Sequence, residues 1–521
     1  MEKVKKIIAS DFSIFILFFL IIAIYLIRAP FLFFDDIIYA FPAYSQDYFE
    51  LYRGFFNYFG FFRPLALVYY FYIYEIHRLL PALSHLIPLI FLTASTYLLF
   101  KVLLLQGLNR KQALAAGLLL ISVPIITESY AWLSANMSIM VLFIFFFQIY
   151  LVEKGFFKKN LLYLLFFLQL IAVFLYESVF FMTLALSYLL YTKERFKNWL
   201  KLTIYSISPF LIYAISKTFV KPQFMQKARI ITISEVVSHW QSFFPDLKIL
   251  ISYDYLKKFW ILELVDGVKY LLNNPVAIIL LSFAFILVCN KLINKRDGQE
   301  SHKREQIKSG VYFWLFAFLL SLAPLSWQEL YIPFRLLILP ILTLFISLLF
   351  LFKLISSDNK AAKMLIYLST PFKVIFICSI FIFLTIQISM VNQYINQYQS
   401  DKKIVAEIDA KLASLGFEHP YRSNLYLINY PNNNIGRLLY GDYIYGLLRN
   451  YWSAEALLDL NSGRFARVAV SIPKTDYAAD FFSSKFPKDD FLKLRPLTVM
   501  KYTGDESCFK NECLKIEVVL K

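Results

Sequence analysis

Charge is scarce in this chain. Asp, Glu, Lys and Arg make up only 17% of its 521 residues, while hydrophobic side chains reach 59% and the mean hydropathy is +0.58. That balance excludes an ordinary soluble domain. Cysteine is scarcer still, with four in all. Cys289 and Cys378 stand in apolar runs, where they read as core residues. Cys508 and Cys513 stand in a polar tail, where they would close a small local disulfide if that tail lies outside the cell. The tail carries no repeat, no glycine-rich phosphate loop and no zinc-ligand spacing, which removes the common nucleotide and zinc sites. No small-residue cleavage site follows the first apolar stretch, only RAPFLFFDD, so MEKVKK and the run behind it read as a retained first helix with its amino end inside.

What is present is lipid-compatible sequence. Apolar stretches recur from Phe12 to Met390, each long enough for a helix to cross a hydrocarbon core about 30 Å thick. Eleven spans are expected, near 12–30, 83–105, 112–127, 136–152, 160–176, 177–192, 200–217, 270–290, 310–326, 333–352 and 373–391. The net charge of +17 has a topological origin. Loops at 1–6, 101–111, 153–159, 192–201, 291–308 and 353–363 hold 22 Lys/Arg against 7 Asp/Glu; the tail from Asp401 holds 17 against 15; the rest balances at 14 against 14. This is the positive-inside pattern, and it calls for no nucleic-acid partner. It places the amino terminus in the cytoplasm and, after an odd number of spans, the C-terminal tail outside. Residues 64–80 are apolar enough to span, but a crossing there would turn the helices that follow over and put their basic loops outside. The segment therefore reads as a re-entrant or surface-lying helix.

The expected fold is an α-helical polytopic membrane protein of about 11 transmembrane helices, occupying residues 1–391, with a small C-terminal α/β extracytoplasmic domain over 392–521. Two outer loops, 31–63 and 218–269, are long enough for structure. In the second, SEVVSHWQSFF and YLKKFWILELV have helical amphipathic spacing and are expected to lie flat in the interface as a roof. In the tail, KKIVAEIDAKLASLGF reads as an amphipathic helix, and NLYLINY, ARVAVSI and CLKIEVVL read as strands.

Carboxylates cost several kcal/mol in hydrocarbon, so those at span ends need a reason. Asp35 and Asp36 follow the first span, Glu128 ends the third, Glu177 sits between the fifth and sixth, and Glu329 precedes the tenth. All five fall on the outer side, as cavity carboxylates or as helix caps facing headgroup water. Cations on that side are Arg28, Arg53, Arg63, Lys217, Lys221, Lys227, Arg229 and Arg335. An anionic headgroup or pyrophosphate would need several of them. Arg63 and Arg335, set among aromatic and proline residues in FFRPL and IPFRLL, are the better placed; Lys221 and Lys227 read as ordinary snorkelling side chains. His77 and His85, eight apart with no third ligand, read as packing or headgroup contacts rather than a metal site.

The order of an acidic DD loop, FRPL, SHLIPLIFLTASTYLL, LISVPIITESYAWLSANMSIMVLF, FLYESVFF and QELYIPFRLLILP resembles the polytopic glycosyltransferases of the GT-C superfamily. The nearest group is the tetratricopeptide-bearing O-mannosyltransferases and their bacterial relatives. The matching positions are Asp35, Asp36, Arg63, Pro64, Leu65, Pro124, Glu128, Trp132 and Glu177, within residues 10–350. Tyr176 replaces that group's lysine, and an α/β tail replaces its repeats.

The resemblance implies an inverting transferase of the cell envelope that moves a sugar from a polyprenyl-phosphate donor to a glycan, lipid or protein acceptor on the outer face. Such a transfer needs a carboxylate to take the acceptor proton and cations to hold the departing lipid phosphate. The implied base is Asp35 or Asp36, with Asp35 ahead; Arg63, Arg335 and Lys217 would hold the phosphate. No metal ligand set is assigned, although Asp35, Asp36 and Glu128 could take a divalent cation, which some superfamily members use. The alternatives are a lipid-linked oligosaccharide flippase or transporter, for which repeats, broken helices or charges on both sides are expected and none is visible, and an O-antigen ligase or polymerase, for which the main soluble loop is expected late in the chain.

Overall fold

A computed structural model of the protein describes residues 11–28, 31–32, 36, 63–154, 159–176, 182–194, 207–216, 260–294, 304–322, 334–356, 359–414, 416, 424–428, 467–470, 497–502 and 516–520. Its helices are α1 (Phe12–Leu26), α2 (Pro64–Leu79), α3 (Pro81–Leu105), α4 (Arg110–Ser122), α5 (Thr127–Ala131), α6 (Met137–Glu153), α7 (Lys159–Leu175), α8 (Met182–Glu194) and α9 (Ile207–Ser216). They continue with α10 (Leu262–Leu272), α11 (Pro275–Cys289), α12 (Arg304–Ser321), α13 (Phe334–Ser356) and α14 (Asn359–Ser414).

Local sequence sets the ends of these elements. Pro64, Pro81 and Pro275 open their helices at the first turn, where a missing N–H costs nothing. Asn109 and Gln112 form a reciprocal capping box that starts α4. Between α3 and α4 the chain reverses through Gly107, whose φ of 95° is a left-handed geometry that favours glycine. Thr93 bonds back one turn to the Leu89 carbonyl and Thr385 to that of Phe381, so these two hydroxyls carry no unmet polar group into the apolar helices.

Among the described residues, four helices are long and apolar enough to cross a bilayer: Pro81–Leu105, Pro275–Leu292, Leu337–Ile355 and Pro371–Ser414. The bent pair Arg110–Ser122 and Pro124–Ala131 makes a fifth, and four shorter apolar helices accompany them. The outside of the bundle is apolar, with Ile279 67% and Phe372 66% exposed, the surface that lipid rather than water would cover. The chain is a helical integral membrane protein. Cys289 is half-buried against the core, while Cys378 is exposed, so the core reading of Cys378 is corrected. In a membrane helix the lipid-facing side is as apolar as the core, and apolar neighbours do not distinguish them.

The basic loops meet at one end of the bundle. Arg110 and Lys291 both bond Asp11, at 2.7 Å and 3.0 Å. Gln106 donates to Glu153 at 3.0 Å and accepts from the Trp314 indole at 2.7 Å; Gln306 donates to the Leu105 carbonyl, and Lys353 to that of Gly107. Burial pushes the Asp11 carboxyl up, but the hydrogen bonds and charges of Arg110 and Lys291 outweigh it and hold the group below the ordinary carboxylate range.

Helix α2 keeps to the opposite end. Arg63 at its start lies over the Tyr176 ring after α7, and His77 near its close meets Ser84 at the start of α3. Both contacts are at helix termini remote from the basic loops.

Three further features differ from the sequence expectation. A helix is broken: Val123 is extended, Pro124 starts one 3-10 turn, and the path bends by 52° before Thr127–Ala131. The span expected over 373–391 and the amphipathic helix expected after Asp401 are one rod, α14, of 56 residues or about 84 Å, so the 391/392 boundary falls inside a helix. Helix α10, from the roof segment, packs onto α14 so closely that a Cβ at Gly267 would collide with the Thr385 carbonyl. It turns Ile261, Val265, Val268 and Leu272 outward and buries Glu263, the reverse of a water-facing polar side. Residues 218–259 lie outside the described residues.

Four strands form one sheet in the order β2-β1-β3-β4, with β1 (Asn424–Ile428) parallel to β2 (Arg467–Val470) and β3 (Leu497–Tyr502), and β4 (Ile516–Leu520) antiparallel to β3. β1, β2 and β4 fall within the three segments read as strands; LTVMKY supplies the fourth.

Candidate functional site

Helix α2 builds one wall of the site. Tyr70, Tyr74 and His77 follow helical spacing on its buried face, and Tyr69 stands beside them. Tyr69 donates to the Asn136 side-chain oxygen at 2.9 Å, Tyr70 to the Ser134 carbonyl at 2.7 Å and Tyr74 to Asp36 Oδ1 at 2.8 Å. The opposite wall is the irregular stretch Trp132–Asn136 between α5 and α6. Its Ser134 amide donates to Asp36 Oδ1 at 2.7 Å and its Leu133 amide to Oδ2 at 3.3 Å. Asp36 is thus fully buried, with both oxygens accepting hydrogen bonds, and it ties the first loop to α2 and to the turn. Irregular backbone at membrane depth is tolerated where protein supplies such partners.

Glu128 lies on α5 inside the protein, at 2% exposure, so the reading of it as a span end in headgroup water is corrected. Pro124 turns the chain before it, which draws the TESYA segment into the core. Arg63 sits 4.6 Å above the centre of the Tyr176 ring, so the tyrosine that stands where the resembled group has lysine gives the arginine a flat π face. Asp35, Lys217, Glu177 and Glu329 lie outside the described residues. Arg335 is the second residue of α13.

The histidines pack. His85 is sandwiched against Phe31, ring centres 4.1 Å apart, with Nε2 3.0 Å from the Phe31 carbonyl. His77 Nδ1 is 2.9 Å from Ser84 Oγ, and the two imidazoles meet edge to face at 5.5 Å. Among the described residues, no three His, Cys, Asp or Glu side chains gather as metal ligands. The structure therefore brings Asp36 and the Glu128 segment together, with Arg63 on the helix that forms one wall.

Two buried polar residues were missed by sequence reasoning. Glu263, 1% exposed, accepts from Ser389 Oγ at 2.6 Å and from Gln393 Nε2. Gln387, fully buried, stands in FLTIQISM on α14. The signal was available in both cases, as a lone polar residue in an apolar run is expensive and marks a partner.

In comparison with known proteins, no family model matches the chain and no curated protein is significantly similar to it.

Proposed function

We propose that the protein is a GT-C-type membrane glycosyltransferase that moves a sugar from a polyprenyl-phosphate donor to an acceptor on the outer face, with inversion. The observation that carries this reading is the grip on Asp36. A carboxylate whose two oxygens accept from Tyr74, Leu133 and Ser134 is suited to anchoring, and it fixes the backbone position of its neighbour in sequence. In this reading Asp35 is the base that takes the acceptor proton, and Asp36 is the residue that positions it. Arg63, with Arg335 and Lys217, holds the lipid phosphate, and Glu128 lines the cavity with Glu177 and Glu329.

The topology belongs to the same proposal: eleven spans, the amino terminus in the cytoplasm, and the C-terminal strands in an extracytoplasmic α/β domain. The meeting of Asp11, Gln106, Arg110, Glu153, Lys291 and Lys353 at one end supports it, because the positive-inside bias acts on those loops. Purified protein incubated with a panel of polyprenyl-phosphate sugars and acceptor lipids tests the activity. Donor turnover that Asp35→Asn abolishes is the expected result, and turnover by no donor in the panel, with the fold intact, overturns it.

One observation favours a second reading, a lipid-linked oligosaccharide transporter. The 52° break at Pro124 is the kind of interrupted helix that transporters place at their binding sites. Vesicles separate the two, since a transporter moves intact labelled lipid-linked sugar between leaflets and a transferase consumes it.

A further inference from the structure

Helix α4 stops because Pro124 lacks an N–H and Val123 is extended, at φ −62° and ψ 127°. Carbonyls in its last turn then lose their usual partners, and in lipid a replacement donor must come from inside the protein. The Ile126 amide donates to the Val123 carbonyl at 3.1 Å, and a side chain from α14 supplies a further donor. Gln387 Nε2, on α14, lies 3.0 Å from the Ile121 carbonyl and 3.0 Å from the Val123 carbonyl. The other half of the same amide accepts from beyond the bend, where the Tyr130 hydroxyl donates to Oε1 at 3.0 Å. Both residues are fully buried. A primary amide offers two N–H donors and a carbonyl acceptor on one carbon, and this grip uses both functions. Glutamate would keep the acceptor and lose the donors, while leucine would lose both.

Two residues before Tyr130 stands Glu128, and three and four residues after it stand the Leu133 and Ser134 amides that hold Asp36. The geometry points to Gln387 as a positioning residue that sets the bend at Pro124 and thereby places Glu128 and the two amides on Asp36. The consequence for sugar transfer rests on the function proposed above; the consequence for the bend does not.

The test uses the full-length protein in detergent, as wild type, Gln387→Leu, Gln387→Glu and Tyr130→Phe. Ser389→Ala serves as a control on the same helix, since Ser389 bonds Glu263 instead. Amide hydrogen exchange read by mass spectrometry should accelerate in peptides covering 123–136 for Gln387→Leu, less for Tyr130→Phe, and nowhere in that stretch for Ser389→Ala. Uniform acceleration along the chain, or no change at 123–136, overturns the proposal. With a polyprenyl-phosphate-sugar donor, kcat should fall about tenfold or more while the donor KM stays within about twofold, because a misplaced base costs rate and Arg63 belongs to a different helix. A raised KM with kcat kept overturns the positioning role. If wild type transfers no sugar, the transferase reading fails while the exchange result still decides the bend. If Gln387→Leu does not fold, Gln387→Glu and Tyr130→Phe carry the same readouts.

Discussion

The two ends of the bundle each hold an aspartate that gathers contacts from distant parts of the chain, half-buried Asp11 at one and fully buried Asp36 at the other. At the basic end Asp11 lies between Arg110 and Lys291, opposite charges bonded directly to it. At the other end the Tyr74 phenol and the Leu133 and Ser134 amides donate to Asp36. Direct ion pairing closes the first site and staples α1 to α4 and to the turn after α11. The second set of contacts ties the first loop to α2 and to the turn Trp132–Asn136. At the start of α2, Arg63 lies over the Tyr176 ring.

The largest expected effect separates the two members of the acidic pair. Asp35→Asn should lower sugar transfer by about 10² to 10⁴ with thermal stability kept, since asparagine preserves shape and cannot take a proton. Wild-type rates in that variant would remove the base from the first loop. Arg63→Ala should come next, raising donor KM by about 10 to 100-fold through loss of a charge-assisted contact, read from initial rates against donor concentration. Tyr176→Leu should do the same more weakly, since cation–π support is worth only about 0.5–1 kcal/mol at an accessible site.

Asp36→Asn sharpens the comparison through stability. Its amide would turn an N–H toward the donors that now grip a carboxylate, at a cost of about 1–3 kcal/mol, read as a lower melting temperature in detergent. An unchanged melting temperature would mean that the buried grip adds nothing to the fold.

The smallest effect is at the basic end. The folded pKa of Asp11 is depressed, so the stability it contributes is fully present above the ordinary carboxylate value of about 4 and is lost as pH falls through the lower folded value. A melting-temperature titration should therefore show an Asp11-dependent drop only in acid, absent in Asp11→Asn, with Lys291→Met costing more than Arg110→Ala because Arg110 is 43% exposed and Lys291 10%. Neither clasp variant should change donor KM.

Much of the helix framework was legible residue by residue. The apolar runs at 83–105 and 333–352 fold as α3 and α13. The segment 64–80 folds as the helix α2. The missed features are those in which a polar residue answers a distant backbone. Pro124 announced a break, but its partner Gln387 lies more than 260 positions away, and nothing near either residue names the other. Glu128 read as a cavity carboxylate or as a helix cap, and only the bend at Pro124 with its 2% exposure separates the two. Glu263 was read within a water-facing helix, and packing against α14 reversed the face it shows.

Lipid explains the division. A bilayer offers the backbone no hydrogen bonds, so each apolar run must satisfy its own N–H and C=O groups as a helix, and the charges of the loops bias its direction; composition and loop charge are local properties that the sequence states outright. Where the helix breaks and where a carboxylate is buried, the partners must come from other helices: Tyr74 for Asp36 from 38 positions away, Leu133 and Ser134 from 97 and 98. Those pairings exist only once the helices are packed, so the membrane-spanning character of the chain belonged to the sequence by itself, and the burial of Asp36 against Tyr74, Leu133 and Ser134 was decided by tertiary structure.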